Sequence, residues 1–419
     1  MNKMLMIIEN AGWYIRSLFW KRDKDIVLFG SWFGDRFADN SRYLFQYLSE
    51  NKEKYHFKNV VWVSCRQQIV DELNEMGYEA YLMDSPDSIY FHKKAGYHLI
   101  SNSPEEYEGK HGDIMGRYSH GAIKINLWHG VLAVKGVNMA SRDYKNYRKA
   151  HPLADRLKKV MRHRSRLFRT FFVQLGGWGD CEYLSVTRAG TRTLEMFFDL
   201  PHDHYIETGQ PRLLGGRLKA DEEAVLTQLK QFDVTFLYVP TFRSTAAFDF
   251  DEASRAVAGL LQKYNIGWIQ KPHSAATNSG NSHIQNINII NLPAEFDLNV
   301  LIPEVDALVT DYSSVSIDAM YYWKPVFYYV PDIEEYAGSD RGFIVKPRKV
   351  MVSELMRDTD TLCRAVEEYA RTRKFEITDQ YKLVRRVYTS EVKSYDAIWN
   401  DLTEKSGTKK TVRADAGDA

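Results

Sequence analysis

The chain has 419 residues, more than one ordinary hydrophobic core organises, so two domains are expected. Hydrophobic residues make up 44% and charged residues 26%, and the formal net charge of +1 excludes polyanion binding by bulk charge, leaving that role to local patches. Three widely spaced cysteines, Cys65, Cys181 and Cys363, argue against a disulfide framework or a C-x-x-C zinc site and favour reduced, cytosolic thiols.

The first 24 residues read as an amphipathic helix. Met4, Leu5, Ile8, Ile15, Leu18 and Phe19 recur at helical spacing, and Trp13, Trp20 and Lys21-Arg22 stand where an interfacial helix carries its anchors. The alternative is a helix that docks on the folded body. No run reaches the about 18–20 uninterrupted apolar residues of a spanning helix, and no small-residue cleavage site marks a signal peptide.

From Asp25 the pattern alternates. DIVLFGSWFG is a buried strand into a glycine-bearing turn, SRYLFQYLSENKEKY a helix, NVVWVSC a strand, and QQIVDELNEMG a helix capped at Gly77. EAYLMD, SPDSIYFHKKAG, YHLISNS and IKINLWHG continue the rhythm of a doubly wound parallel sheet. Residues 135–172 interrupt it with twelve Lys and Arg against Asp143 and Asp155. This basic amphipathic stretch, with Arg162, Arg164 and Arg166 at its centre, reads as a binder of an anionic membrane surface. No nucleic-acid recognition motif accompanies it.

A second alternating set follows HYIETGQPR: strands in DVTFLYVPTFRS, IGWIQKPHS, INIINLP, ALVTDYSS and PVFYYVPD, helices in EASRAVAGLLQKYN and SVSIDAMYYW, and closing helices over 352–372 and 376–402. The expected units are the helix 1–24, a Rossmann-like domain 25–207 carrying the basic segment 135–172, a second Rossmann-like domain with closing helices 208–402, and a disordered polar tail 403–419.

Ligands of open α/β sheets sit at the carboxyl ends of the strands. Those ends are WHG at 128–130, TGQPR at 208–212, PTFR at 240–243, KPHS at 271–274, TDYSS at 310–314 and DRG at 340–342. Arg212, Arg243, Lys271 and Arg341 would together bind an anion, guanidinium groups matching phosphate oxygens in pairs. Ser313 and Ser314 stand where a helix start would cradle phosphate. Taken singly, each has a structural reading: a helix cap for the serines, an ion pair for Arg341, a hydrogen-bonded scaffold for His273. Repetition at successive strand ends favours a site. H-E-x-x-H, G-K-[ST] and G-x-G-x-x-G patterns are missing, so no metal or cofactor is expected.

These motifs, with LVTDYSSVSIDAMYYWKPVFYYVPD and the early FGSWFGDRFADNSRYLFQYL, resemble the CDP-glycerol glycerophosphotransferase family of teichoic-acid primases and polymerases over roughly residues 25 to 345. The resemblance implies a GT-B architecture, two Rossmann-like domains facing a cleft with a basic helical insertion. It implies transfer of glycerol phosphate from CDP-glycerol to a lipid-linked or polymer hydroxyl, with CMP released, in teichoic acid or capsule synthesis at the cytoplasmic face of the membrane. By the family motifs His129 is the base, and His273, Arg243 and Arg341 bind the donor phosphates. Thr310, Asp311, Ser313, Ser314 and Gly342 lie in the motifs that would hold the pyrophosphate, and Asp318 follows on the same helix. LLGG after TGQPR, and Ala319-Met320 in that helix, depart from the family pattern and bear on the identity of the donor. The rival readings are a CDP-ribitol transferase, a GT-B glycosyltransferase using a nucleotide sugar, and a non-catalytic lipid- or polymer-binding protein.

Overall fold

A computed structural model of the protein describes residues 3–102, 112–131, 148–154, 156, 183–187, 194–195, 200, 202–241, 249–271, 286–338, 342–389 and 392–406. Two parallel sheets organise it. The first contains β1 (Asp23–Phe29), β2 (Asn59–Ser64), β3 (Glu79–Leu82), β4 (Ala95–Ile100), β5 (Ile123–Asn126), β6 (Tyr183–Val186) and β7 (Tyr205–Glu207), in the order β3-β2-β1-β4-β5-β6-β7. The second contains β8 (Val234–Tyr238), β9 (Ile266–Gln270), β10 (Ile289–Asn291), β11 (Ala307–Thr310), β12 (Val326–Tyr329) and β13 (Leu355–Met356), in the order β10-β9-β8-β11-β12-β13. Parallel strands are covered on both faces, which is why their sequences are continuous apolar runs. Ile26, Val27, Leu28 and Phe29 of β1 are all buried, as are all five residues of β8. This is the expected α/β class, with two Rossmann-like units.

The helices cover these faces. They are α1 (Lys3–Ser17), α2 (Asp39–Glu50), α3 (Gln67–Glu75), α4 (Pro86–Lys94), α5 (Ala220–Leu229), α6 (Phe250–Lys263), α7 (Val315–Tyr321), α8 (Ile333–Gly338), α9 (Thr359–Thr372), α10 (Asp379–Tyr388) and α11 (Tyr395–Lys405). Local chemistry sets their ends. Ser85 caps α4 by accepting the Ser88 N–H, with Pro86 in the first turn. Gly77, at φ 87°, closes α3 in the left-handed conformation that glycine adopts without a Cβ penalty.

Two placements differ from the sequence reading. Trp13 and Trp20 do not face outward: both pack against Tyr118, at ring separations of 5.1 and 6.0 Å. The Arg22 guanidinium then donates to the carbonyls of His92, Ala95, Tyr118 and His120, fastening the end of this segment to the first unit. The outward side chains are Ile8, Ile15, Leu18 and Phe19, between 58 and 84% exposed. The second difference is at the other end. The sequence pattern assigns the closing helices to the second domain, yet α11 returns to the first. Its Ile398, Trp399 and Leu402 enter the core formed by Phe29, Leu44, Leu48 and Phe57. The same helix takes in residues 403–405 of the expected tail, with Thr403 buried beside Leu402; residues 407–419 and most of the basic segment, including Arg162, Arg164 and Arg166, lie outside the described residues.

A candidate active site where the two sheets meet

Strand order reverses beside β1 in the first sheet and beside β8 in the second. In this architecture the crevice at such a reversal is where ligands bind. The segment after β1 runs through Trp32, Phe33 and Asp39, all at positive φ (45, 61 and 59°). Left-handed backbone at non-glycine residues is costly and persists where the surroundings hold it. Here they do. The Phe33 N–H and the Ser101 and Asn102 N–H groups all donate to the Asp113 carboxylate at 2.7–2.9 Å, joining the loops after β1 and β4.

His129 stands in the loop after β5. Trp128 before it is left-handed (φ 54°), which turns the chain out of the sheet. The imidazole lies between the rings of Trp128 and Trp32, at 4.2 and 5.2 Å. Its Nδ1 is 3.1 Å from the Ser101 carbonyl oxygen. A carbonyl only accepts, so Nδ1 carries the proton and Nε2 of the neutral ring carries the lone pair. That tautomer is the one a general base requires.

Asn40 holds this loop in place. Its buried Nδ2 donates to the Leu127 and Trp128 carbonyls (2.9 and 2.8 Å) and to Gln210 Oε1 (2.7 Å), and its Oδ1 accepts the Arg212 N–H at 3.1 Å. One amide thus ties WHG to TGQPR. Gly130 approaches the second unit closely: a Cβ there would stand 2.8 Å from Ser314 Oγ, at the start of α7.

The predicted donor-site residues that the structure describes divide into two groups. Ser313, Ser314 and Gly342 are partly buried in loops of the second unit. Lys271, directly after β9, is buried and donates to the Phe296 carbonyl at 2.5 Å. Burial, with Arg36 nearby, brings its ammonium down to about 7. Arg212, Thr310 and Asp311 are placed otherwise than as open ligand contacts. The Arg212 guanidinium is 1% exposed and is engaged by both oxygens of Asp318, at 2.9 Å each, and by Asp39 at 3.4 Å. Thr310 Oγ1 donates to the Val239 carbonyl, and Asp311 accepts the N–H and hydroxyl of Thr241. These two hold the loop after β8 that leads to Arg243. Arg243, His273 and Arg341 themselves lie outside the described residues.

A second buried pair crosses the seam. Arg42 of α2 forms a two-pronged bond with Glu222 of α5, at 2.5 and 2.7 Å, and lies 3.6 Å from Asp297. Asp297 also accepts the Asp39 N–H. Burial raises the carboxyls of Asp39 and Asp318, against the pull of Arg212. Sequence reading passed over Trp32, Arg36, Asn40 and Asp113. The readable signal was the turn after the first strand, which the strand-end rule places in the crevice.

Comparison with known proteins adds the following. The family model described as CDP-Glycerol:Poly(glycerophosphate) glycerophosphotransferase matches residues 13–396. The chain is 23% identical over 371 residues to a teichoic acid poly(glycerol phosphate) polymerase of Bacillus spizizenii, covering 83% of this chain and 84% of that protein. It is 21% identical to a teichoic acid glycerol-phosphate transferase of Staphylococcus aureus, covering 84 and 85%. A solved structure of the wall teichoic acid polymerase TagF superposes with a TM-score of 0.64 at 16% identity, covering 96% of this chain and 97% of that one, which establishes a shared fold.

Proposed function

Because this chain belongs to the CDP-glycerol:poly(glycerophosphate) glycerophosphotransferase family, we propose that it transfers glycerol phosphate from CDP-glycerol to a hydroxyl of a lipid-linked or polymer acceptor. The acceptor oxygen bonds to the β-phosphorus, the bond from that phosphorus to the bridging oxygen breaks, and CMP leaves. The proton of the hydroxyl passes to His129 Nε2. The observation that carries this reading is the Nδ1 to Ser101 carbonyl bond, which fixes the basic tautomer beside the seam.

In this scheme residues 25–207 receive the acceptor and 208–402 the donor, with α11 packed back on the acceptor unit. Lys271, Ser313, Ser314 and Gly342 contact the donor phosphates together with Arg243, His273 and Arg341. Arg212 and Asp318, Thr310 and Asp311 position those loops. Phosphoryl transfer needs little beyond alignment and stabilisation of charge, which such a set supplies. The test is a donor screen with CDP-glycerol, CDP-ribitol and UDP-sugars on a lipid-linked acceptor. The expected result is CMP from CDP-glycerol, abolished in a folded His129→Ala variant. CMP from CDP-ribitol alone would change the donor; a nucleoside diphosphate product would overturn the reaction class.

The same reading puts the enzyme on the cytoplasmic face of the membrane as a peripheral protein, for wall teichoic acid or capsule synthesis. Supporting it are the outward apolar side chains of Ile8, Ile15, Leu18 and Phe19 and the basic composition of 135–172. Among the described residues no helix is long and apolar enough to cross a membrane.

A further inference from the structure

Arg36 lies in the loop after β1, at the strand-order reversal of the first sheet. It is partly buried, and its guanidinium stacks on Trp32 at 4.9 Å. It makes no hydrogen bond or ion pair with the described residues. The nearby carboxylates are committed or out of reach: Asp35 pairs with Arg66, Asp39 with Arg212, and Glu295 is exposed and beyond ion-pair distance. Its other electrostatic neighbours are cations, Arg66 and Lys271. A planar fork of five donors, held over an aromatic ring with no acceptor, is the form of an anion site awaiting its ligand. Trp32 also stacks on His129, so the separations of 5.2 and 4.9 Å keep the guanidinium within about 10 Å of the imidazole.

We propose that Arg36 binds the phosphate group next to the reacting hydroxyl of the acceptor. The inference rests on the reading above and names its acceptor subsite. Arg36 and His129 share the first sheet, whereas the donor-phosphate cations belong to the second. An acceptor ending in glycerol phosphate carries a hydroxyl and a phosphate on one short unit. That unit spans from His129 Nε2 to the Arg36 fork once both contacts are made. The same contact selects acceptors that already end in glycerol phosphate over neutral sugar ends.

The experiment measures CMP release by wild type, Arg36→Gln and Arg36→Lys on two acceptors, one ending in glycerol phosphate and one ending in a sugar hydroxyl with no adjacent phosphate. Wild-type turnover of CDP-glycerol tests the parent reading by itself. Loss of a two-pronged charged contact should raise the KM of Arg36→Gln for the phosphate-bearing acceptor by about 10- to 100-fold. Its KM for CDP-glycerol and its rate with the neutral acceptor should stay near wild type, and Arg36→Lys should recover part of the loss. Weaker CDP-glycerol binding by calorimetry, or equal losses on both acceptors, would overturn the proposal. So would a Glu295→Gln variant that reproduces the Arg36→Gln effect, because Arg36 would then act as a clasp to that carboxylate.

Discussion

Replacing Asn40 by aspartate changes almost nothing in shape and inverts the chemistry at the centre of the seam. The wild-type amide gives two hydrogens to three acceptors, the carbonyls of Leu127 and Trp128 and the amide oxygen of Gln210. The carboxyl of the Asn40→Asp variant offers one hydrogen when protonated and none when ionised, so at least two of the three lose their donor. Each buried acceptor left without its donor costs about 1–3 kcal/mol, so at pH 7 the loss should be about 4 kcal/mol. The sign of its pH dependence follows from the same geometry. Surrounding carbonyls and burial raise the carboxyl of the variant in the folded state, so its stability is greatest below the unfolded pKa and falls as pH rises towards the folded one. The gap to wild type should therefore widen from pH 5 to pH 7 by up to about 2.7 kcal/mol, at about 1.36 kcal/mol per unit. Urea unfolding at several pH values measures this. CMP release measures the consequence, a fall of about 100-fold in kcat from misplacing the histidine loop, with the KM for donor little changed. A variant within about 1 kcal/mol of wild type at pH 7, with a flat pH profile, would refute the argument that Asn40 holds the WHG loop.

Asp318→Asn removes the two-oxygen partner of a buried guanidinium and should cost about 3–5 kcal/mol in urea unfolding; a neutral outcome would mean that Asp39 alone suffices for Arg212. Lys271→Met deletes an ammonium brought from an ordinary 10.5 to about 7, chiefly by burial. The folded wild type binds fewer protons than the unfolded chain between those values, so its stability relative to the variant should climb by roughly 5 kcal/mol from pH 7 to 10.5. A constant difference across that window would contradict a buried, desolvated amine. Replacing Leu18 and Phe19 by serine should weaken co-sedimentation with anionic vesicles by at least about tenfold while leaving unfolding unchanged, since full burial of each apolar side chain is worth about 1.5–3 kcal/mol; undiminished sedimentation would remove the turn after α1 from the membrane contact.

The strands and their loops were legible because buried parallel strands announce themselves as short apolar runs, and their ends are where ligands gather. His129 emerged from that rule together with the family motifs. Arg212, Thr310 and Asp311 were correctly placed at strand ends, but their partners were hidden. Asp318 lies 106 positions from Arg212 within the second unit and Glu222 lies 180 from Arg42 across the seam, so only tertiary packing brings these charges together. Trp13 of α1 and Trp20 just after it show the same limit. Helical spacing gave the periodicity, yet which stripe faces the body depended on Tyr118, a residue of a distant turn.

The return of α11 to the first sheet has a consequence for biogenesis. Tyr55, Phe57 and Tyr97 enclose Trp399, which is made more than three hundred residues after the first two. A ribosome extending the chain exposes β8 to α10 while that aromatic pocket still lacks its plug. The second unit can therefore mature during synthesis, whereas the first is sealed only after Trp399 has emerged from the ribosome. A nascent protein stalled before Tyr395 would display an open greasy socket to chaperones and proteases, so incomplete copies carry their own mark for disposal.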